Sequence, residues 1–216
     1  MPLPRAVIFD WDNTLVDSWG AIAHAINVTR AHFGSPAWTM EEVKANCIRS
    51  ARESFPDWYG DRWQEASDIF YGCFKNIQFD DLKPLRGSAD LLKYLAAQKI
   101  PAFVVSNKNG EFLRREAEVL GWNGYFAAII GALDAPRDKP AREHPDHALA
   151  LGGLTASADI WFVGDSEADI ACARNAGCLP VLIGNKESAG KYGVDMYVVD
   201  CGELLGLLCS PDGATK

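Results

Sequence analysis

Two aspartates separated by one residue, Asp10 and Asp12, follow directly on the apolar run from Val7 to Phe9. Residues i and i+2 of an extended chain point to the same side, so both carboxylates are expected to stand together at the end of a strand. Close carboxylates repel each other, and a fold keeps them together when a cation or a shared proton compensates. An acidic turn after a strand is the alternative that this stretch leaves open.

Polar groups of complementary chemistry follow other apolar runs further along the chain. Ser106-Asn107-Lys108 ends the second apolar run, and the stretch from Gly164 to Asp169 ends a later one. A loop before that later run carries Arg137-Asp138-Lys139-Pro140. Because ligands of an open parallel sheet bind beyond the carboxyl ends of its strands, we expect these segments to meet Asp10 and Asp12 at one rim.

The side chains of this rim suit the binding and cleavage of a phosphate ester. Asp10 and Asp12, with Asp165 or Asp169, form an all-oxygen set of the kind that Mg²⁺ prefers. A hydroxyl such as that of Ser106 and a lysine would bind phosphate oxygens. One carboxylate can attack phosphorus, and a second can protonate the leaving oxygen and later deprotonate a water. The set therefore indicates phosphoryl transfer through an aspartyl-phosphate.

The pattern of the chain predicts the elements that must position these groups. From Leu85 onward, short and nearly continuous apolar runs alternate with helical patterns, which is typical of a parallel sheet covered on both faces. Residues 18–82 show helical spacing and many aromatic side chains but no strand pattern. We therefore predict an α/β fold: a doubly wound parallel-sheet (Rossmann-like) core of residues 1–17 and 83–216, with an inserted all-helical cap of residues 18–82.

Two local signals refine the prediction for the cap. Thr39, followed by acidic residues, is expected to cap the start of a helix that runs to about Ile48. The stretch Phe55-Pro56-Asp57-Trp58-Tyr59-Gly60 is rich in turn-forming residues, so we expect it to interrupt the helices.

Composition restricts the class of protein. The chain has 216 residues, of which 48% are hydrophobic and 23% charged, as in ordinary soluble globular proteins. A formal charge of −8 argues against binding to nucleic acid or to a membrane surface. The sequence shows no signal segment and no apolar stretch long enough to span a bilayer. Its six scattered cysteines lack the spacing of a zinc site. We expect a cytoplasmic protein with reduced thiols, either a monomer or a homodimer.

The rim residues fall into four motifs that stand in order along the chain: Asp10-Trp11-Asp12-Asn13-Thr14, Ser106, Lys139-Pro140 and Gly164-Asp165-Ser166-Glu167-Ala168-Asp169. In this combination the chain resembles the haloacid dehalogenase superfamily, and within it the phosphatases that carry a helical cap after the first strand. Asn107-Lys108 is similar to the phosphoglycolate-phosphatase-like branch. Trp11 departs from the smaller or aliphatic residue of many relatives, and we expect it to pack against the sheet or the cap.

The resemblance implies a division of roles at the reacting end of the site. Asp10 would be the nucleophile, Asp12 the general acid and base, and Thr14 a positioning residue. Ser106 and Lys139 would bind the transferring phosphoryl group.

The resemblance also implies a set of magnesium ligands. Mg²⁺ would be held by Asp10, the backbone carbonyl of Asp12 and Asp165, with Asp169 either touching the ion or lying behind its ligands. Asn107 is a further candidate, as a donor to the aspartate or to the intermediate, whereas Lys108 is expected to lie in solvent.

The cap raises a separate question of substrate recognition. Arg49 or Arg52 could pair with a carboxylate or a second phosphate of the substrate, and the alternative is that both are surface residues. The predicted function is a Mg²⁺-dependent phosphatase of a small phosphorylated metabolite, with 2-phosphoglycolate as the candidate named by the branch. The alternatives are a phosphosugar mutase, a sugar phosphatase, and a non-catalytic phospho-acceptor or binding module.

Overall fold

The computed structural model describes residues 2–47, 49–75 and 82–210. The strands in these ranges are β1 (Ala6–Phe9), β2 (Val16–Asp17), β3 (Lys83–Pro84), β4 (Ala102–Asn109), β5 (Phe126–Ala132), β6 (Ile160–Gly164), β7 (Leu179–Ile183) and β8 (Tyr197–Val198). Six of them form one sheet in the order β5-β4-β1-β6-β7-β8, and the pairings in that sheet are parallel. The predicted doubly wound parallel sheet is confirmed.

Strand β1 lies inside this sheet, and all of its side chains are apolar and buried. Phe9, its last residue, pairs with Val104 of β4 on one side and with Val163 of β6 on the other. The Asp10 N–H then donates to the Val163 carbonyl at 2.9 Å. Asp10 therefore stands at the carboxyl end of β1, between the ends of two neighbouring strands.

The α-helices of the described residues are α1 (Trp19–His32), α2 (Met40–Asn46), α3 (Ala51–Tyr59), α4 (Trp63–Gly72), α5 (Ser88–Ala97), α6 (Gly110–Val119), α7 (Glu143–Leu151), α8 (Glu167–Ala176), α9 (Lys186–Tyr192) and α10 (Cys201–Cys209). None of the helices in these ranges combines the length and the apolar character needed to cross a bilayer.

The helices that follow β3 cover both faces of the sheet and bury two hydrophobic cores. One core includes Leu91 of α5, Leu113 of α6 and Leu204 of α10. The other includes Leu149 of α7 and Ala173 of α8. Burial on both faces explains why the strands read as continuous apolar runs.

Helices α1 to α4 form a cap with its own core of Ile26, Val43, Phe55 and Ala66. The expected start of α2 is confirmed, since the Thr39 hydroxyl accepts from the Glu42 N–H and the Glu42 carboxylate accepts from the Thr39 N–H. The helix ends at Asn46, and the predicted end at Ile48 lies outside the described residues.

The expected break at Phe55-Pro56 is wrong, because both residues lie inside α3. Proline in a helix removes a donor and crowds the preceding turn. Tertiary packing outweighs that cost here, since the buried Phe55 ring has its centroid 5.3 to 5.6 Å from the rings of Trp58, Tyr59 and Phe70.

Two very short strands carry the chain between the sheet and the cap. Val16 pairs with Pro84, and Asp17 with Lys83, in an antiparallel arrangement. The Leu85 N–H extends the pairing by donating to the Leu15 carbonyl at 2.9 Å. The sequence did not predict this two-stranded ribbon, because strands of two residues are too short to show a periodic pattern.

Candidate active site

The structure brings Asp10, Lys139 and Asp169 into direct contact at the rim. The Lys139 ammonium donates to Asp10 Oδ1 at 2.5 Å and to Asp169 Oδ1 at 2.7 Å. All three residues are buried, with exposed fractions of 5% or less. One lysine thus neutralises part of the charge of two carboxylates, one at the end of β1 and the other in the first turn of α8.

A third carboxylate, that of Asp165, completes an acidic cluster. Asp10, Asp165 and Asp169 each offer one carboxylate oxygen within 4.8 Å of the others. Burial raises the pKa of Asp10 to about 7 against the opposing effect of Lys139, and burial followed by repulsion from Asp169 and Asp10 raises the pKa of Asp165. The cluster carries more negative charge than Lys139 offsets, and hard carboxylate oxygens are the ligands that Mg²⁺ selects.

The oxygens of Asp169 already have partners within the protein. Its Oδ2 accepts from the Ser166 N–H at 3.0 Å and from the Ser166 hydroxyl at 2.6 Å, which caps α8, while its Oδ1 accepts from Lys139. A Cβ at Gly164 would overlap this carboxylate, which explains the glycine at the end of β6. The donor set therefore fits a cation held by Asp10 and Asp165, with Asp169 positioning Lys139.

Asp12 forms an ion pair with a different lysine, Lys108. Lys108 Nζ donates to Asp12 Oδ1 at 2.8 Å and lies 2.9 Å from Glu116 Oε1, and its side chain is only 8% exposed. Burial alone would lower the pKa of Lys108, but its pairing with Asp12 and Glu116 raises it overall, so the ammonium stays charged. The expectation of a solvated Lys108 is wrong, because two carboxylates compensate its burial.

Trp11 and Glu116 complete the arrangement around Asp12. The Trp11 indole N–H donates to Glu116 Oε2 at 2.8 Å. The indole is fully buried and packs edge-to-face on Trp122, with 5.7 Å between ring centroids. Trp11 therefore packs beneath the sheet rim, as expected, and additionally fixes the orientation of Glu116.

Ser106, Asn107 and Thr14 lie around the same rim. The Ser106 side chain is buried, and its Oγ accepts from the Lys108 N–H at 3.2 Å. Asn107 bonds the backbone of Lys139 twice, since its Oδ1 accepts from the Lys139 N–H at 2.9 Å and its Nδ2 donates to the Lys139 carbonyl at 3.2 Å. Thr14 is buried, with its hydroxyl 3.5 Å from Asp165 Oδ1. Asn107 thus holds the lysine loop against β4.

The two cap arginines are paired with carboxylates of the protein. Arg49 bonds Asp57 at 2.7 Å on the surface of the cap. Arg52 bonds Asp138 at 2.7 Å, and the Ser50 hydroxyl donates to the same carboxylate at 2.7 Å. The predicted contact of these arginines with a substrate stays a prediction.

A cavity of about 450 Å³ lies between the rim and the cap. The side chains of Asp10, Asp12, Ser106, Lys139 and Asp165 form its polar floor, and Arg49 and Lys44 are among the cap residues that line it. The rim is therefore open to a ligand on the side that the cap covers.

Comparison with known proteins places this site in a family. The sequence model described as "Haloacid dehalogenase-like hydrolase" matches residues 7–183, a range that contains all four motifs. The chain belongs to the haloacid dehalogenase-like hydrolases. The resemblance inferred from the motifs is thereby confirmed.

Comparison with individual relatives assigns this hydrolase to one branch of the family. A phosphoglycolate phosphatase of Chromobacterium violaceum is 30% identical over 216 residues, covering 94% of this chain and 96% of the relative. A phosphoglycolate phosphatase of Yersinia pestis is 32% identical over 199 residues, covering 81% of this chain and 78% of the relative. A crystal structure of a hydrolase of the superfamily from Ehrlichia chaffeensis has a TM-score of 0.69 and 29% identity, over 97% of this chain and 98% of that one. This hydrolase is a phosphatase of the phosphoglycolate-phosphatase-like branch.

Sequence reasoning missed two acidic residues of the hydrolase site, Glu116 and Asp138. Glu116 had a usable signal, because it lies one helical turn from Leu113 and beside Ala117, on the buried face of α6. A carboxylate on an apolar helix face needs a buried partner. Asp138 lies beside the lysine of the third motif, and nothing in its local pattern indicates that it bonds the cap.

Proposed function

We propose that this hydrolase cleaves phosphate monoesters with Mg²⁺ through an aspartyl-phosphate formed on Asp10. The observation that carries the proposal is the pair of adjacent carboxylates, each with its own buried lysine. Lys139 bonds Asp10 and Lys108 bonds Asp12. Two carboxylates held in separate environments can perform two different steps of one reaction.

The steps balance with groups of this chain. A carboxylate oxygen of Asp10 attacks phosphorus, the bond to the ester oxygen breaks, and Asp12 in its protonated form gives that oxygen a proton. The Asp12 carboxylate then removes a proton from a water, whose oxygen attacks the same phosphorus. The bond between phosphorus and the Asp10 oxygen breaks, phosphate leaves, and Asp10 and Asp12 return to their starting states.

Charge neutralisation and alignment supply most of the acceleration in phosphoryl transfer. We expect Lys139, which bonds Asp10, and the buried Ser106 hydroxyl to bind oxygens of the phosphoryl group. Asp10, Asp165 and the backbone carbonyl of Asp12 would hold Mg²⁺, which when bound neutralises charge on the carboxylates and on the phosphoryl oxygens.

Turnover of a chromogenic ester tests the proposal. We expect p-nitrophenyl phosphate to be hydrolysed with Mg²⁺ and hydrolysis to stop when EDTA removes the metal. Asp10→Asn removes the nucleophile, so the rate should fall by roughly 10³-fold or more. Peptide mapping of rapidly quenched Asp12→Asn enzyme should find the phosphoryl group on the peptide that contains Asp10. Equal rates for wild type and Asp10→Asn would overturn the proposal.

The same experiment separates the remaining alternatives. A phospho-acceptor module would take up one phosphoryl group per chain without sustained release of phosphate. A mutase would transfer the group to a second sugar hydroxyl rather than to water. The relatives are phosphoglycolate phosphatases, so 2-phosphoglycolate is the reference metabolite for the assay.

A further inference from the structure

Many of the residues that line the active-site cavity beyond its charged floor are aromatic. They are Trp19 of α1, Phe55 and Trp58 of α3, Phe70 of α4, Phe74, which follows α4, and Phe112 of the sheet-domain helix α6. A volume of about 450 Å³ falls within the range of roughly 300–1,000 Å³ found for pockets that enclose whole small molecules. The cavity thus offers an apolar surface above a strongly charged floor.

Part of this aromatic lining is a continuous stack that crosses from the cap to the sheet domain. The Tyr71 ring stacks on Phe112 with centroids 5.7 Å apart, and Phe74 lies 6.2 Å from Phe112 and 5.2 Å from Phe70. Phe70, Tyr71 and Phe112 each keep part of their surface exposed. Covering those exposed faces with an apolar group would be favourable.

Each cap arginine is paired with a carboxylate of the protein. Arg52 is bonded to Asp138, whose carboxylate is fully buried, and withdrawing the arginine would leave that charge without its partner. Arg49 is bonded to Asp57 at the surface. Lys44 also lines the cavity, and its ammonium lies 5.3 Å from the centroid of the Trp19 ring.

We infer that the leaving group of the substrate is an uncharged, mainly apolar alcohol that packs on the aromatic wall formed by Phe70, Tyr71 and Phe112. The inference rests on the proposed function, because the phosphoryl group on the floor directs the rest of the ester toward this wall. On that wall a second anionic group of the substrate would meet aromatic carbon, and its rival partners are the cations that line the cavity away from the floor, Lys44, Arg49 and Lys191.

A series of linear alkyl phosphates tests the inference at constant leaving-group chemistry. We expect kcat/KM to rise by about threefold to fourfold for each methylene from ethyl to butyl to hexyl phosphate, because each buried methylene contributes about 0.8 kcal/mol. Hexyl phosphate should then exceed 2-phosphoglycolate. A flat series, or a preference for 2-phosphoglycolate over hexyl phosphate, would overturn the inference and leave the proposed phosphatase intact.

Binding of uncleavable analogues tests the apolar pocket separately from the proposed phosphatase reaction. Titration calorimetry with ethyl- and hexylphosphonate, in the presence of Mg²⁺, should show the same gain with chain length. If the gain appears but no ester is turned over in an Asp10-dependent way, the pocket exists and the proposed reaction is wrong. Equal affinities for both phosphonates would count against the pocket.

Two variants identify the part of the wall that is responsible. Phe112→Leu should reduce the value of kcat/KM for hexyl phosphate divided by that for ethyl phosphate. Because both values come from the same preparation, this ratio does not depend on the fraction of the variant that is folded. Lys44→Gln removes one of the rival cations and should change that ratio less than Phe112→Leu does. A larger loss for Lys44→Gln on the best substrate would establish an anionic leaving group and reject the inference.

Discussion

Lys108 connects the proposed acid and base, Asp12, to a buried network. Its ammonium is shared between Asp12 Oδ1 at 2.8 Å and Glu116 Oε1 at 2.9 Å, and Trp11 donates to the other oxygen of Glu116. This bonding fixes one oxygen of Asp12 at the rim. Since proton transfer needs an aligned donor, we expect the network to affect catalysis through the position of Asp12.

Removing the lysine should therefore slow the chemical step more than it weakens binding. For Lys108→Met we expect kcat to fall by roughly 10- to 100-fold, with a smaller change in KM. Steady-state kinetics at saturating Mg²⁺ measures both parameters, and thermal melting confirms that the variant is folded. Trp11→Phe, which loses the indole N–H and keeps an aromatic ring, is the control and should lose less activity. A folded Lys108→Met enzyme with normal kcat would show that the network has no catalytic part.

At the scale of elements, Asp138 joins the cap to the loop that carries Lys139. Its carboxylate accepts from the Ser50 hydroxyl, pairs with Arg52, and lies 3.4 Å from the Leu133 N–H. Ser50 immediately precedes α3, so the start of a cap helix is tied to the residue beside Lys139. If the cap closes over the substrate, we expect the Asp138 carboxylate to couple that closure to the position of Lys139.

Neutralising that carboxylate should loosen the closed cap. For Asp138→Asn we expect KM to rise about tenfold and proteolysis near the Asp17-Ser18 and Lys83-Pro84 crossings to become faster, because closure then lacks its ion pair. Asp57→Asn is the matched control, since it breaks the exposed pair with Arg49, and such pairs contribute at most about 1 kcal/mol. Digestion rates with Mg²⁺ and phosphate compare the two variants. If they are indistinguishable, the Asp138 contact does not hold the cap.

The elements also show what a sequence pattern can predict. Buried parallel strands produce apolar runs, and each run ends at the rim, so Asp10, Ser106 and Asp165 could be located from periodicity alone. The pairing of Glu116 with Lys108 and Trp11 joins a helix face to two strand ends, and no local pattern records such a contact. Helix α3 runs through Pro56 because aromatic packing in the cap outweighs the local preference, which sequence reasoning cannot weigh.

For the whole molecule, the acidic cluster makes stability depend on pH and on the cation. Burial raises the pKa of Asp10 from its ordinary value of 3.8 to about 7 in the folded protein. Between those values the unfolded chain has released a proton that the folded protein retains, so the free energy of unfolding falls as pH rises. His144 acts in the opposite direction, because its burial lowers its pKa. Comparing wild type with Asp10→Asn therefore cancels the effect of His144 and retains that of Asp10 together with its repulsion of Asp165, which acts in the same direction as burial of Asp10.

We expect the stability of wild type relative to Asp10→Asn, both in EDTA, to fall from about pH 4 to about pH 7 and then to level off. The slope is at most about 1.4 kcal/mol per pH unit, the value for one proton. Urea unfolding at several pH values measures the difference, and the contribution of His144 cancels because both proteins contain it. Mg²⁺ binds the folded protein and should stabilise wild type by about 2.7 kcal/mol at a hundredfold excess over its Kd. Asp10→Asn, which lacks one proposed ligand, should gain less at the same concentration. A relative stability that rises across this range in EDTA would mean that Lys139 outweighs burial and that Asp10 is ionised without a cation.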